Sequence, residues 1–477
     1  MTSLLHKADT VIVNSAPDTE CHLRPKFHIS PPKGLLNDPN GFIEHNDQYH
    51  LFFQWNPFAC KHGAKYWAHC VSTDLVHWEY HPTALAPDQD YDLHGCYSGS
   101  AFDINGELYL FYTGNLKNDQ GERFSTQCLA KATNTTNKVF TKLGPVIYQQ
   151  PKGYTAHFRD PKIWQHDQKW YCVFGAQTID LHGQVLLYSS DNAYDWECLG
   201  PIAGDNINGL SDFAYMFECP DLFSLNDRDV LIGCPQRNEQ HENRIKTTHN
   251  NGYFIGDFDY QKKDYIHGSF RTLDQGFEFY APQTTEDSKG RRLLSAWVGI
   301  PDENEQPTVE TGWLHTLSLV RELKLKNNKI YQLPADEHKV LRKNRHKFKL
   351  PESNNIVLET NNCYELEVCA KNIQKQFKVR LAEENDNYLS IVFDADTHTL
   401  TVERVCSQQK TKCRSFPLIK AEELKLQVFF DHSIIEVFIN NGEEVFTSRV
   451  FPKENKSKVA IKTDNSCIIT RLVIYDY

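Results

Sequence analysis

The chain of 477 residues lacks several features that would place it in a large class of proteins. It has no apolar run near the roughly 20 residues that a membrane-spanning helix needs. It has no excess of basic residues either, because 51 Lys and Arg stand against 62 Asp and Glu, a net charge of −11. Such a balance disfavours binding to nucleic acid or to an anionic membrane surface. The first 15 residues show no signal-peptide pattern, so we expect a cytoplasmic protein.

Common metal and nucleotide motifs are also missing. The 14 cysteines are dispersed and form no C-x-x-C pair, which argues against a zinc-ribbon or thioredoxin-like fold. The chain has no P-loop, no dinucleotide-binding glycine motif and no H-E-x-x-H. We therefore expect thiols in a reducing compartment and a protein without a cofactor.

What the chain does have is a repeat of about 60 residues. Five short segments rich in β-forming residues begin at intervals of 59, 61, 60 and 63, at Tyr49, Leu108, Lys169, Asp229 and Arg292. A polar turn precedes each segment, and a further short strand precedes each turn. Repeated units of four strands without helical periodicity predict a five-bladed β-propeller, and a β-sandwich with chance spacing is the alternative.

The pattern changes after the fifth repeat. The region 331–350 is rich in Lys and Arg, which indicates a solvated linker, and residues 334–341 could form its one short helix. Short strands return after residue 350, and Asn440, Asn441 and Gly442 are typical of a hairpin turn. We therefore predict an all-β protein: a five-bladed β-propeller over residues 1–330, a linker over 331–350 and a C-terminal β-sandwich over 351–477.

Carboxylates begin three of the five repeats. Asp38, Asp160 and Glu218 fall at what we take as matching repeat positions, and the first strand of each propeller blade lines the central channel. We therefore expect the three side chains to face one funnel. Gathering like charges in a partly desolvated site is unfavourable, which favours a functional role over three separate turn carboxylates. A metal site is a further alternative, but no D-x-[DN]-x-[DN]-G loop is present and we expect no metal.

Two carboxyl groups in different protonation states are what hydrolysis of a glycosidic bond requires. Asp38 stands between Asn37 and Asn40, whose amides can keep it ionised, so it is the better candidate for a nucleophile. Glu218 follows two apolar residues and would have anionic neighbours, so we expect burial and charge to raise its pKa and make it the proton donor.

The side chains around these acids could bind a sugar. Asn37, Gln54 and Ser98 could bind its hydroxyl groups, and aromatic rings near the axis could form an apolar wall. Most aromatic residues of a propeller pack within blades, however, and both readings stay open for Trp55, Trp67, Tyr97, Phe158 and Trp297. A histidine such as His62 is more often a packing or surface residue than a catalyst.

Three motifs resemble the signature blocks of glycoside hydrolase family 32. They read GLLNDPNG at residues 34–41, FRDP at 158–161 and ECPD at 218–221, in that order. The segments FQWNP at 53–57, YSGS at 97–100 and FDHSIIEVF at 430–438 match as well. Within the family the chain is similar to the bacterial sucrose-6-phosphate hydrolases and the intracellular invertases.

The resemblance implies a retaining β-fructofuranosidase that acts on sucrose or sucrose 6-phosphate, built as a five-bladed propeller with a C-terminal sandwich. Asp38 would be the nucleophile, Glu218 the acid and base, and Asp160 a stabiliser of the transition state. A retaining enzyme should hold the Asp38 and Glu218 carboxyls about 5–5.5 Å apart. The residues that we assign to substrate binding are Leu35, Leu36, Asn37, Gln54, His62, Tyr97, Ser98, Arg159 and Trp297.

One departure from the family pattern concerns the pocket wall. Many members carry a Trp near the Asn-Pro-Phe segment, where this chain has Lys61, His62 and Gly63. Lys61, Lys65, Arg123 and Arg237 also lie near the motifs, but the sequence does not tell which of them reach the funnel or bind a phosphate group.

Several alternatives stay open at this point. A fructan hydrolase or fructosyltransferase of the same family, an arabinan- or xylan-cleaving enzyme and a non-catalytic sugar-binding propeller are the other functions considered. As a partner we expect only the small-molecule sugar, with no nucleic acid and no membrane, and we expect a monomer or a homodimer.

Overall fold

The computed structural model describes residues 3–15, 21–133, 136–237, 248–348, 355–406, 409–419 and 422–477. Regular structure in these ranges is almost entirely β, which confirms the all-β prediction. The chain divides into two compact units. The first is Met1–Pro17, Ser30–Thr272 and Tyr280–Val320, and the second is Asp18–Ile29, Leu273–Phe279 and Arg321–Tyr477. The boundaries predicted at residues 330 and 350 stay predictions, and residues 349–354 lie outside the described ranges.

Antiparallel sheets of the first unit follow the five repeats. The first sheet contains β1 (Gly34–His45), β2 (Gln48–Asn56), β3 (Tyr66–Ser72) and β4 (Glu79–Leu85). The second contains β5 (Cys96–Ile104), β6 (Glu107–Lys117), β7 (Arg123–Ala132) and β8 (Phe140–Ile147). The third contains β9 (Tyr154–His166), β10 (Lys169–Thr178), β11 (Gly183–Ser190) and β12 (Glu197–Gly204).

The fourth sheet contains β13 (Met216–Leu225), β14 (Arg228–Gln236), β15 (Gly252–Asp259), β16 (Asp264–His267) and β17 (Arg271–Thr272). In the fifth repeat, β18 (Tyr280–Glu286) pairs with β19 (Arg292–Val298). A 3-10 helix, Pro307–Thr311, leads to β20 (Trp313–Leu314), which pairs in parallel with β1, and to β21 (Thr316–Leu317), which pairs with β19.

The first strands of the five sheets form a closed ring. Strand β5 contacts β1 and β9, β13 contacts β9 and β18, and β18 contacts β1. The five sheets are therefore blades around an axis lined by β1, β5, β9, β13 and β18, which confirms the five-bladed propeller. Strand β20 pairs with β1, so the end of the first unit returns to the first blade.

The turns between the first and second strands explain why the repeat was visible in the sequence. Asn46 and Asp47 have φ of 52° and 58°, and Asn105 and Gly106 have φ of 56° and 81°. Such left-handed conformations are the ones that two-residue hairpin turns require, and Asn, Asp and Gly adopt them at low cost. The second strands that follow are buried, as Phe52 and Phe111 show with no exposed surface.

The only α-helix among the described residues is α1 (Leu4–Asn14), and it contacts β4. The hydroxyl of Ser3 accepts a hydrogen bond from the backbone N–H of His6 at 3.2 Å and caps the helix. Asp9 on the helix accepts a hydrogen bond from the backbone N–H of Thr83 at 2.7 Å. In the described part of the chain no helix has the length and apolarity to cross a membrane.

The largest segment of the second unit, Arg321–Tyr477, starts with the hairpin of β22 (Arg321–Lys326) and β23 (Lys329–Pro334), followed by a 3-10 helix, Asp336–Leu341. The predicted short helix is therefore present, with Asp336 and Glu337 in its first turn. The remaining strands are β24 (Arg345–Lys347), β25 (Asn355–Asn361), β26 (Cys363–Lys371), β27 (Gln376–Glu384), β28 (Asn387–Asp394), β29 (Thr399–Cys406), β30 (Gln409–Pro417), β31 (Glu423–Asp431), β32 (Ile434–Ile439), β33 (Glu444–Arg449), β34 (Lys456–Lys462) and β35 (Ile468–Asp476).

These strands form two six-stranded sheets, in the orders β24-β35-β26-β31-β32-β33 and β25-β34-β27-β28-β29-β30. One hydrophobic cluster takes side chains from both, such as Leu366 and Val428 from the first sheet and Val379 and Val402 from the second. The C-terminal β-sandwich is therefore confirmed. Its predicted hairpin turn is present as well, with Asn440, Asn441 and Gly442 all at positive φ.

Candidate active site

Each of the five axial strands is irregular at the segment that carries the candidate residues. The pairing with the second strand shifts between Leu36 and Pro39, Tyr97 and Gly99, Arg159 and Lys162, Glu218 and Asp221, and Tyr280 and Gln283. A β-bulge places an extra residue in one strand and changes the direction of nearby side chains, often beside an active site. The bulges therefore mark where this propeller presents its site.

The bulges of β9, β13 and β18 correct the predicted register of Glu218. Arg159, Glu218 and Tyr280 pair with equivalent residues of the second strands, and the next residues, Asp160, Cys219 and Ala281, have φ of 63°, 49° and 48°. Glu218 therefore matches Arg159 and stands one residue before the position of Asp160. The sequence intervals hid this offset, because they varied by several residues between repeats.

Asp38 lies half-buried within a set of hydrogen-bond donors. Its Oδ2 accepts a hydrogen bond from Ser98 Oγ at 2.6 Å and one from Gln54 Nε2 at 3.2 Å, and its Oδ1 accepts one from Asn37 Nδ2 at 3.1 Å. Burial raises the pKa of Asp38, and the bonds from Ser98 and Asn37 oppose that effect. The predicted role of Asn40 is not seen, since its Oδ1 accepts from the backbone N–H of Gly99 at 3.3 Å.

A buried lysine fixes the amide that contacts Asp38. Lys65 Nζ donates to Asn37 Oδ1 at 2.6 Å and lies 3.1 Å from His62 Nδ1. Because Oδ1 of Asn37 accepts this bond, its Nδ2 points to Asp38 and to Gln54 Oε1, the latter at 3.0 Å. Burial lowers the pKa of Lys65 to about 7, and the charge of Asp38 offsets part of the effect. The sequence placed Lys65 near a motif but gave no signal for this contact.

Glu218 is paired with an arginine rather than surrounded only by acids. Its Oε1 accepts hydrogen bonds from Arg159 Nη2 at 2.6 Å and Nε at 3.2 Å, and its Oε2 accepts from Gln236 Nε2 and Tyr280 Oη, both at 2.6 Å. Burial alone would raise the pKa of Glu218, but the charge of Arg159 and the bonds from Tyr280 and Arg159 outweigh it and lower the pKa. The prediction of a raised pKa for Glu218 is therefore wrong.

Asp160 completes the cluster of acids. Its Oδ2 accepts a hydrogen bond from the backbone N–H of Cys219 at 3.0 Å, and the Cys219 thiol lies 3.6 Å from this atom and 3.9 Å from Asp38 Oδ2. Burial raises the pKa of Asp160 to about 7, while Arg159 lowers it and the charges of Glu218 and Asp38 raise it further. The propeller thus brings all three predicted acids into one buried site.

The other candidates divide into wall and packing residues. Trp297 is fully buried, and its ring contacts His62 at 6.2 Å and Tyr280 at 6.1 Å between centroids. The exposed His62 therefore stands where the sequence did not settle the pocket wall. Tyr97 is half-buried beside Ser98. The side chains of Leu35 and Leu36 are fully buried, which is typical of packing. The same full burial applies to Trp55, Trp67 and Phe158.

Two family models cover nearly the whole chain. The N-terminal domain of glycosyl hydrolases family 32 matches residues 28–334, and the C-terminal domain of the same family matches residues 329–476. The chain belongs to glycosyl hydrolase family 32. The resemblance of the three signature motifs is thereby confirmed.

Individual family members share most of this chain. A sucrose-6-phosphate hydrolase of Bacillus subtilis is 44% identical over 446 residues, which cover 92% of this chain and 90% of the relative. One from Salmonella typhimurium is 44% identical over 430 residues, which cover 90% of this chain and 88% of the relative.

Solved structures agree with this fold. A sucrose-6-phosphate hydrolase from Lactobacillus gasseri is similar with a TM-score of 0.89 and 33% identity, over 98% of this chain and 96% of that chain. A mutant β-fructofuranosidase from Bombyx mori, solved in complex with sucrose, is similar with a TM-score of 0.83 and 30% identity, over 98% and 96%.

Proposed function

We propose that the protein is a retaining β-fructofuranosidase that hydrolyses the fructosyl bond of sucrose and of sucrose 6-phosphate. The observation that carries this proposal is the pair of half-buried acids Asp38 and Glu218, whose surroundings differ although the charge of Glu218 raises the pKa of Asp38. Asp38 is held by the neutral donors of Ser98, Gln54 and Asn37, whereas Glu218 is held by Arg159 and Tyr280. The names of the family members described above support the substrate.

In the first step, Asp38 attacks the anomeric C2 of the fructosyl unit. Its Oδ1, which accepts a single hydrogen bond, is the oxygen that we assign to the attack. The bond from C2 to the glycosidic oxygen breaks, and Glu218 gives that oxygen a proton, so that glucose or glucose 6-phosphate leaves. In the second step, Glu218 takes a proton from water, the water oxygen bonds to C2, and Asp38 is released with the β configuration retained.

Because the pKa of Glu218 is lowered, the proton that Glu218 delivers must come from another group of the site. Near neutral pH Asp160 binds a proton in part of the molecules, because its pKa is about 7, while the pKa of Glu218 is lowered. Hydroxyl groups of a bound fructosyl ring would donate to Asp160 and stabilise its ionised form. An ionised Asp160 then raises the proton affinity of Glu218, since the protons of coupled acids belong to the whole set. Substrate binding therefore moves the proton to Glu218.

We also assign the protein to the cytoplasm and propose the sugar as its one partner. None of the 14 cysteines forms a disulfide bond in the described structure, which fits a reducing compartment. Import that phosphorylates sucrose would supply the phosphorylated substrate. The chain would act as a monomer or a homodimer, and the propeller site uses residues of the first unit alone.

Trapping the intermediate tests the proposal. A slow, fluorinated fructosyl substrate should leave an ester on Asp38, which peptide mass spectrometry would locate, and the Asp38→Asn variant should show no adduct. NMR of early products should show β-fructofuranose. An adduct on another acid, an inverted product, or turnover of inulin, levan or pentosides in place of sucrose would contradict the proposal.

A further inference from the structure

A half-buried arginine, Arg123, lies beside Tyr97, and in the described part of the chain no carboxylate pairs with it. Arg123 opens β7, and its guanidinium carbon lies 5.6 Å from the centre of the Tyr97 ring. Among the residues that the structure describes, Arg123 forms no ion pair. Tyr97 and Arg123 are partly exposed, whereas Ser98 and Asp160 next to them are buried. An uncompensated cation at the solvent side of a site in a chain of net charge −11 is suited to an anion.

A neutral histidine, His157, contacts Arg159 and is subject to the charge of Arg123. His157 Nδ1 lies 2.9 Å from Arg159 Nη1, and since a guanidinium only donates, Nδ1 accepts and Nε2 carries the proton. Burial lowers the pKa of His157 to about 4, and the charges of Arg159 and Arg123 lower it further, so the ring is neutral at neutral pH. Its Nε2–H is thus a donor in the same positive region as Arg123.

The two arginines differ in how far their charge is compensated. Arg159 is paired with Glu218 at 2.6 Å, so its charge serves the proposed proton donor. Within the described ranges Arg123 has no such pair, and its charge acts on the same histidine that contacts Arg159. Uncompensated positive charge therefore lies on the side of Glu218, where the group that leaves from the fructosyl unit must be held.

We propose that Arg123, together with the Nε2–H of His157, binds the phosphate group of a phosphorylated disaccharide whose glycosidic oxygen faces Glu218. This subsite rests on the proposed function. A guanidinium binds phosphate through two parallel, charge-assisted hydrogen bonds, which are stronger than neutral ones. The subsite gives sucrose 6-phosphate an interaction that sucrose lacks.

The other basic residues near the motifs are less suited to this role. Lys65 is buried near Asp38, where its ammonium group donates a hydrogen bond to Asn37 Oδ1. The side chain of Lys61 is exposed, and its backbone oxygen accepts a hydrogen bond from Asn56 Nδ2. Arg237 stacks over Phe213 at 4.5 Å, and burial lowers its pKa. Arg237 follows Gln236, which bonds to Glu218, so it is the competing candidate that an experiment must exclude.

The test compares kcat/KM for sucrose 6-phosphate and for sucrose in the wild-type protein, Arg123→Gln and the matched variant Arg237→Gln. Loss of a charge-assisted hydrogen bond should lower the ratio of the two values about 10- to 100-fold in Arg123→Gln, mainly through KM for the phosphorylated sugar. In Arg237→Gln the ratio should stay within about 3-fold of wild type, since a stacked arginine away from the phosphate makes no such bond. An unchanged ratio in Arg123→Gln, or a large loss in Arg237→Gln, would overturn the assignment.

Further measurements keep the proposal testable if Arg123→Gln folds poorly. Circular dichroism would check each variant, and Arg123→Lys, which keeps the charge without the planar fork, should fall between wild type and Arg123→Gln. In the wild-type protein, glucose 6-phosphate should inhibit sucrose hydrolysis at least about 10-fold more strongly than glucose, and equal inhibition would refute the subsite. A wild-type protein that cleaves neither sugar refutes the proposed function itself, whereas one that cleaves both equally well refutes only the subsite.

Discussion

Replacing Lys65 by methionine should stabilise the protein in mild acid and make it a poorer enzyme. The ammonium group is buried and donates to Asn37 Oδ1 at 2.6 Å. Burial lowers its pKa from 10.5 to about 7, against the opposing charge of Asp38. Below pH 7 the folded protein therefore carries a charge that the unfolded chain would hold more favourably in water. Methionine has a similar length and removes this charge.

The magnitude follows from the difference between the folded and unfolded pKa values. The folded state binds fewer protons than the unfolded state between pH 7 and 10.5, so this group destabilises the fold most below pH 7 and progressively less above it. At about 1.4 kcal/mol for each pKa unit, the cost is roughly 5 kcal/mol at pH 6 and roughly 2 kcal/mol at pH 9. The variant leaves Asn37 Oδ1 without its donor, which costs about 1–3 kcal/mol at either pH. The net gain is then roughly 2–4 kcal/mol at pH 6 and close to zero at pH 9.

Urea unfolding at pH 6 and pH 9 measures this difference. The stability that Lys65→Met gains over wild type should be about 3 kcal/mol smaller at pH 9 than at pH 6. This difference does not depend on the cost of the lost hydrogen bond, which is the same at both pH values. Lys61→Met, at an exposed side chain, is the matched control and should change stability by less than about 0.5 kcal/mol. The same Lys65 variant should lose about 10-fold or more in kcat/KM, because the amide of Asn37 is no longer fixed against Asp38. A stability difference that does not depend on pH would refute the reasoning.

Two further substitutions test the environment of Glu218 and the core of the second unit. Tyr280→Phe removes a donor to Glu218 Oε2, so the pKa of Glu218 should rise. The alkaline limb of the kcat/KM profile for sucrose should then move up by about 0.5–1 pH unit. A limb that stays in place would contradict the assignment of Glu218 as the acid. Arg321→Met removes the guanidinium that pairs with the buried carboxylates of Asp274 and Glu436, so urea unfolding should show a loss of about 3–5 kcal/mol. The exposed Arg345→Met should show almost none. A loss below about 1 kcal/mol in Arg321→Met would mean that these carboxylates do not depend on the ion pair.

The sequence was sufficient for the architecture because each blade begins with the same local chemistry. Hairpin turns such as Asn46-Asp47 and Asn105-Gly106 need residues that accept a left-handed backbone, and the strands that follow need large apolar side chains. Both requirements recur once per blade, so the interval between them reveals the repeat. That the three acids meet in one site follows from the closed ring alone.

The details of the site depended on contacts that sequence intervals do not contain. Lys65 directly precedes the third strand of its blade and reaches Asn37 of the first strand, and nothing in a one-dimensional pattern joins them. Gln236 and Tyr280 reach Glu218 from the fourth and fifth blades in the same way. Tyr280 had one available signal, since it precedes the Ala-Pro pair that matches the Asp-Pro pair after Arg159.

The one-residue offset of Glu218 separates the two protonation states that the chemistry requires. At the position that matches Asp160, the fourth blade has Cys219, whose thiol lies within 3.9 Å of both Asp160 and Asp38. Burial and the charges of Asp160 and Asp38 raise the pKa of this thiol well above its usual range, so it stays neutral between them. A carboxylate at residue 219 would have placed three like charges in contact. Because the acid stands one residue earlier instead, it meets Arg159 on one side and Tyr280 on the other, and its proton affinity is governed by groups that do not contact the nucleophile.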